Sequence, residues 1–399
     1  MIVKRWWPAV VVVALVAWFY WDFLWGRTFI WGDALTEYFA GLHYFATSIR
    51  SGRFPLWIAE VRNGMPFYSD IQLAVFYPPT WLLVLPASAE RLPFTAYQVF
   101  LVVHIALGGV GMVWWLHGQG LRSMACLIGA MTFCFAAFMS LHMVHAVMLQ
   151  VYAWWPWLLE LVRRVVAQRT RRAIAGLVFV TAMMFLAGHP QTTLYGLYLA
   201  TAYWVYLALA SAPWWKSILL AVSVWLLTML VISPALLPVA ENWRWSGRTD
   251  GTLETTGGGS APVANLIGFI APDFFGTLQA APSQVIFWGD APHSVTPVAP
   301  WNYWEFGLYI GQLGWMAVVV LAIRRSPNAK FFLVMGALAT WFYLGRHAGL
   351  FEFAYYLVPG ASLFRVPARA ANVVCICGSV LAAMLTDALL RREIGRAHV

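Results

Sequence analysis

The stretch from Ser217 to Ala240 carries no charged side chain, and neither does the one from Phe94 to Gly120. A bilayer's hydrocarbon core is about 30 Å thick, which roughly 20 apolar residues cross as an α-helix. Runs of this kind constrain the chain more than any motif in it. With 61% hydrophobic, 17% aromatic and 10% charged residues, the composition lies far from the soluble average. The chain reads as an all-α polytopic membrane protein, with about ten transmembrane helices expected at 8–25, 95–116, 123–141, 144–162, 173–188, 191–210, 217–236, 304–323, 331–345 and 372–390. These form a single multi-spanning domain over 1–392, with long connections at 26–94 and 237–303.

The formal charge of +9 does not indicate a nucleic-acid partner, because the basic residues form short clusters between apolar runs and no continuous patch. Lys4 and Arg5, Arg122, the run from Arg163 to Arg172, Lys216, the run from Arg324 to Lys330, and Arg391 with Arg392 all fall in short loops on one face. Such loops mark the cytoplasmic side. An even number of spans then puts the N-terminus in the cytoplasm and both long connections outside it. Function is to be sought on the outer face. That face also receives nearly all the acidic residues. No internal repeat is visible, which weakens a transporter reading, since many transporter folds are built from repeats.

Cys126, Cys134, Cys375 and Cys377 lie inside apolar stretches, as free thiols behaving like small hydrophobes. The N-terminal MIVKRWW and the run after it lack a small-residue cleavage site and read as an uncleaved first span. The last residues, EIGRAHV from Glu393 to Val399, resemble the translation of a sequencing-library adapter. On that expectation the natural chain is longer, which resequencing of the source locus tests.

In WGDALTEYF, Trp31 to Phe39, two carboxylates follow the first apolar run. Leu35, Phe39, Leu42, Phe45 and Ile49 recur at helical spacing, with Glu37, His43 and Arg50 between them, so 34–50 reads as an amphipathic helix at the membrane surface. Asp33 is either its N-cap or the working end of an enzyme. Gly and Pro break the rest of the loop into short extended pieces before a Pro-rich apolar segment. There Asp70 and Gln72, beside Tyr68, either line a pocket or serve as turn and cap residues.

These segments resemble the YfhO-like bacterial membrane proteins of the GT-C superfamily of multi-spanning glycosyltransferases. The resemblance rests on GDALTEYF, SGRFPLW, NGMPFYSDIQLAVFYPP, AGHPQTTLY (187–195), SPALLPVAENWRWSGR (233–248), APDFFG (271–276), NYWEFGLYIG (302–311) and FRVPAR (364–369). It implies a first outer loop packed over a cavity between helices, localisation in the bacterial cytoplasmic membrane, and transfer of a sugar from a polyprenyl-phosphate carrier to a cell-envelope acceptor.

Such chemistry asks for a carboxylate beside the acceptor hydroxyl, and Asp33 is the candidate general base. One carboxylate suffices for an inverting displacement, whereas a covalent glycosyl-enzyme needs a nucleophile as well. Glu37, four residues on, is placed to orient Asp33 or bind acceptor. Asp70, Gln72, His189, Gln191 and Glu305 are the other candidate acceptor or sugar contacts. For His189 a cap role, and for Glu305 a helix-start role, stand as alternatives. The leaving lipid phosphate suits arginine, and the pairs Arg244/Arg248 and Arg365/Arg369 each have four-residue spacing; snorkelling or local pairing is the alternative.

Asp22 is read as near the interface and Glu160 as a local ion pair with Arg163 and Arg164. No cofactor is expected, and nothing supports a divalent metal, since His142 and His145 have no third ligand at recognisable spacing. The expected partners are the lipid bilayer, a lipid-linked sugar donor and the acceptor. The competing functions are a transporter or flippase for lipid-linked sugars and a non-catalytic partner of a glycosylation system.

Overall fold

Inside a bilayer no water can bond backbone N–H and C=O groups, so a chain of this composition must satisfy them internally. The computed structural model describes residues 2–28, 30, 32–61, 63–210, 213–245, 251–276 and 303–391, and the side chains of all of these except 2–5 and 243–245. It is 76% helical. Among the described residues, five helices are long and apolar enough to cross a membrane: Phe94–Gly118, Ser123–Val144, Trp214–Asn242, Tyr303–Ile323 and Pro367–Leu390. The other expected spans fall on helices such as Ile2–Phe19, Arg171–Leu186, Pro190–Leu209 and Lys330–Tyr343. The one expected at 144–162 is divided into Ala146–Ala153 and Trp155–Gln168. Pro156, near the start of the second piece, has no N–H to continue the first.

The chain divides into two compact units, one of residues 1–118 with 142–249 and the other of 119–141 with 250–399. In the first unit Phe94–Gly118 packs against Ile2–Phe19, Ala146–Ala153 and Trp155–Gln168. Glu160 is fully buried there and accepts from Arg163 Nε (2.8 Å), Arg163 Nη2 (2.9 Å) and Arg164 Nε (2.7 Å). This is the local pair its spacing suggested. Gly118 makes room for it, because a Cβ there would run into the Glu160 carboxylate. Asp22 sits in the short helix Trp21–Leu24 and is exposed.

The first long connection is folded. Residues 34–50 are helical, as a π turn over Ala34–Phe39 followed by an α-helix over Ala40–Arg50. Leu42 and Phe45 are buried as the 3.6-residue phase requires, but ahead of them the buried residues are Ala34 and Tyr38, and Leu35 is exposed. Ala34, Tyr38, Leu42 and Phe45, spaced by four, four and three residues, form one stripe of ordinary helical period, and Leu35 falls at its edge. Phe45 packs with Ile58, Phe67 and Val75 in a small core, beneath an antiparallel pair of Trp57–Ile58 with Met65–Pro66. Arg50 ends the helix by donating to the carbonyls of Val84 (2.7 Å) and Leu85 (2.5 Å).

Tyr77 ties this connection to the helices. Trp154 Nε1 donates to its hydroxyl at 2.7 Å, the hydroxyl lies 2.8 Å from His104 Nε2, and His104 Nδ1 lies 2.7 Å from the Phe100 carbonyl. An indole N–H can only donate and a carbonyl only accept. The imidazole proton is therefore on Nδ1, and Tyr77 donates to Nε2. Burial pushes the Tyr77 phenol well above its usual range, which keeps that proton in place.

In the second unit Ala371–Leu390 is buried along most of its length and packs against Ser123–Phe135, Gly311–Ile323 and Lys330–Tyr343. Asp387 accepts from the Arg122 backbone N–H (2.9 Å) and Arg391 Nε (2.6 Å). The turn before this helix is strained, since Val366 is β-branched yet has φ +65°. Its N–H is held by the Gly258 carbonyl at 2.8 Å, and a Cβ on Gly259 would lie 2.9 Å from Val366 Cγ1.

Replacing Tyr77 with Phe strands the Trp154 N–H and His104 Nε2 in a buried site. Each stranded group costs about 1–3 kcal/mol. Thermal unfolding of the purified variant should begin at a clearly lower temperature than that of the wild type.

Candidate functional site

In the first unit, Gly32 has φ +69° and its carbonyl accepts from the N–H groups of Leu35 (2.9 Å) and Thr36 (3.0 Å), starting the π turn. Asp33 is thereby already in right-handed helical geometry and makes no side-chain cap bond. The cap alternative is not realised. The carboxylate instead lies 3.7 Å from His145 Nε2, with the Asp33 side chain 52% and the His145 side chain 7% exposed. That separation exceeds a hydrogen bond, and the carboxylate keeps access to water. His145 immediately precedes the helix Ala146–Ala153, and the ring of His142, also buried, lies 5.3 Å from its own. The sequence offers no sign of the Asp33–His145 contact, because the two are far apart along the chain. Glu37, one turn on, is exposed.

The other candidates of this unit are committed to local structure. Asp70 accepts from the Gln72 N–H (3.0 Å) at the start of a 3₁₀ turn, and also lines an apolar crevice with Tyr68, Phe185 and Ile232. Both the pocket and the cap readings of Asp70 are thus present together. Gln72 lines a small enclosed gap with Tyr38, Thr80 and Gln150. His189 caps Pro190–Leu209, its Nδ1 accepting from the Thr192 N–H (3.1 Å), which is the alternative its position suggested. Gln191 donates to the Tyr195 hydroxyl (3.0 Å). The turns carrying these two pairs abut, since Gly188 at φ +95° leaves no space for a Cβ against the Ile71 carbonyl. Arg248 and the Arg244 side chain lie outside the described residues, as do residues 277–302 of the second long connection and 393–399.

In the second unit the four-residue spacing of Arg365 and Arg369 does not put them on one face. Val366 in the left-handed region and Pro367 behind it break any helix between them. Arg365 is exposed, whereas Arg369 turns inward. Its Nη2 lies 2.6 Å from Glu305 Oε1, and its Nε lies 3.1 Å from each carboxylate oxygen. Glu305 is 3% exposed and joins the turn Tyr303–Phe306 to the start of the Pro367–Leu390 segment. This departs from both expectations, because the arginine is engaged by a carboxylate and the carboxylate by the arginine. The turn carrying Glu305 borders a cavity of about 160 Å³, but Glu305 is not among its lining residues, which include Tyr303 and Phe306.

Comparison with known proteins returns no matching family model, no matching curated protein and no matching solved structure. The site is therefore read from its own chemistry.

Replacing Glu305 with Ala removes the buried carboxylate that pairs with the part-buried Arg369 guanidinium. Loss of one member of a buried pair costs about 3–5 kcal/mol. The variant should unfold at much lower temperature, while Glu305→Ala/Arg369→Met should recover part of the loss.

Proposed function

We propose that the protein is a membrane glycosyltransferase that moves a sugar from a polyprenyl-phosphate carrier to an acceptor outside the cytoplasm. The resemblance to the YfhO-like group of the GT-C superfamily led to this reading. The observation that carries it is the half-exposed Asp33 carboxylate held against a buried imidazole. Such a carboxylate is open to an incoming acceptor on one side and fixed on the other. In this reading the ten-span arrangement, with basic loops in the cytoplasm, puts Asp33 on the outer face of a bacterial cytoplasmic membrane.

The acceptor O–H gives its proton to Asp33 as its oxygen bonds to the anomeric carbon. The bond from that carbon to the phosphate oxygen breaks, its electron pair leaving with the lipid phosphate. A single displacement of this kind inverts the anomeric centre. His145 is a positioning residue. It stands beside the Asp33 carboxylate and does not touch the acceptor.

Purified full-length protein incubated with a panel of polyprenyl-phosphate sugars should turn over one of them. Asp33→Asn should lower that turnover by about 10²–10⁴-fold, the usual contribution of a positioned base. Because Asp33 caps nothing, the variant's stability should stay within about 0.5 kcal/mol of wild type. Undiminished turnover in this variant refutes the assignment of Asp33. His145→Gln should shift the pH profile of turnover and lower its rate by less than Asp33→Asn does.

A further inference from the structure

The second unit contains a cavity of about 160 Å³ that the transfer chemistry at Asp33 does not use. Five half-buried aromatic side chains line it: Phe135, Phe275, Tyr303, Phe306 and Tyr309. Its polar groups are few. Among the described residues its polar side chains are Ser140, Asn265 and the two tyrosines. Its walls are knitted together, with the Ala137 N–H donating to the Tyr309 carbonyl at 2.8 Å and Gly307 packed so closely on Leu141 that a Cβ would not fit. Behind the wall, the Tyr343 hydroxyl donates to the Phe306 carbonyl (3.0 Å) and receives the Asn265 amide nitrogen (3.4 Å). This sets the asparagine's orientation and leaves its oxygen as the acceptor. The Tyr303 hydroxyl reaches Asp273 Oδ1 at 3.4 Å.

From this lining we infer that the cavity binds an uncharged pyranose ring. The volume matches that of an apolar cavity that takes benzene, so the cavity, open on one side, seats the ring of a pyranose with its substituents toward the mouth. Aromatic faces carry partial negative charge, and the C–H groups of a pyranose, polarised by their oxygens, are the complementary surface. Its hydroxyl groups meet the serine, asparagine and tyrosine groups, as in ligand sites where a mostly apolar lining carries a few placed polar groups. No lysine or arginine is among the described lining residues, so an anionic sugar or a phosphate finds no counter-charge. A prenyl chain would bury those hydroxyl and amide groups against hydrocarbon, which costs free energy for each one left without a partner. The inference goes beyond the proposed transfer and does not require it.

Gly268 offers the test, because it lines the cavity and a Cβ placed on it meets no atom within 4 Å. Full-length protein in nanodiscs of phosphatidylethanolamine and phosphatidylglycerol avoids alkyl-glycoside detergents, which themselves carry pyranose rings. Saturation-transfer NMR would measure binding of methyl α-D-glucopyranoside, methyl α-D-galactopyranoside, methyl α-D-glucopyranosiduronic acid and farnesol. At least one neutral pyranoside should bind saturably, and the uronic acid should bind about tenfold more weakly or not at all. Gly268→Phe, which fills the space, should weaken the neutral pyranoside at least tenfold, while Gly268→Ala keeps it. Should the Phe variant not fold, Tyr309→Leu removes one aromatic face and should weaken it likewise. Absence of saturable pyranoside binding, unchanged binding in the folded cavity variants, or displacement of the sugar by farnesol overturns the inference. These outcomes are independent of Asp33→Asn turnover. Pyranoside binding without transfer sinks only the transferase reading, and transfer without pyranoside binding sinks only this one.

Discussion

A phenol buried among helices has one proton to give and one oxygen to receive with, and Tyr77 uses both. Its bonds to His104 and Trp154 join a Pro-rich connecting segment to two helices of the first unit. The same constraint recurs wherever polar side chains enter the apolar interior. Glu160 is met by Arg163 and Arg164, Glu305 by Arg369, and Asp387 by Arg122 and Arg391. A group withdrawn from water must find its partner inside the chain, and these partners determine where the irregular segments can lie. With the first connection fixed through Tyr77 and its small core around Phe45, the helix carrying Asp33 has a defined seat.

That seat explains why a residue in a surface helix can hold a particular geometry. Gly32 and the π turn bring Asp33 in before the α-helix begins, and His145 meets it from the end of another segment. π turns cost regular hydrogen bonding and are frequent at functional sites. The contrast between the buried imidazole and the half-exposed carboxylate is the physical basis of the proposed base. The second unit uses a different device, a Val366 backbone held at φ +65° by the glycine run 257–259, which turns Arg369 inward and leaves Arg365 outside.

Local patterns were legible where the partner lies within a turn or two. The Glu160 pair with arginines three and four residues on, the Asp70 cap on Gln72, and the His189 cap follow from spacing that one helix or turn enforces. The helix over 34–50 was also legible, but the π turn that opens it was not, because one such turn leaves no periodic mark over so few residues. At Arg365 and Arg369 the four-residue spacing makes no shared helical face, since Pro367 and a left-handed Val366 stand where a helix would align them. Nothing in the spacing of Asp33 and His145, or of Glu305 and Arg369, announces that they meet.

What the sequence determined by itself is the helical class, through long uncharged runs that only internally bonded helices can carry. It also determined the caps and ion pairs made within a few residues. Tertiary structure alone decided which distant side chains meet: Tyr77 with His104 and Trp154, Asp33 with His145, Glu305 with Arg369, and the aromatic walls of the cavity in the second unit. The reason is that periodicity reports only the face a residue occupies on its own element. The partner on that face depends on how elements pack, which is set by the shape and polarity of many side chains at once.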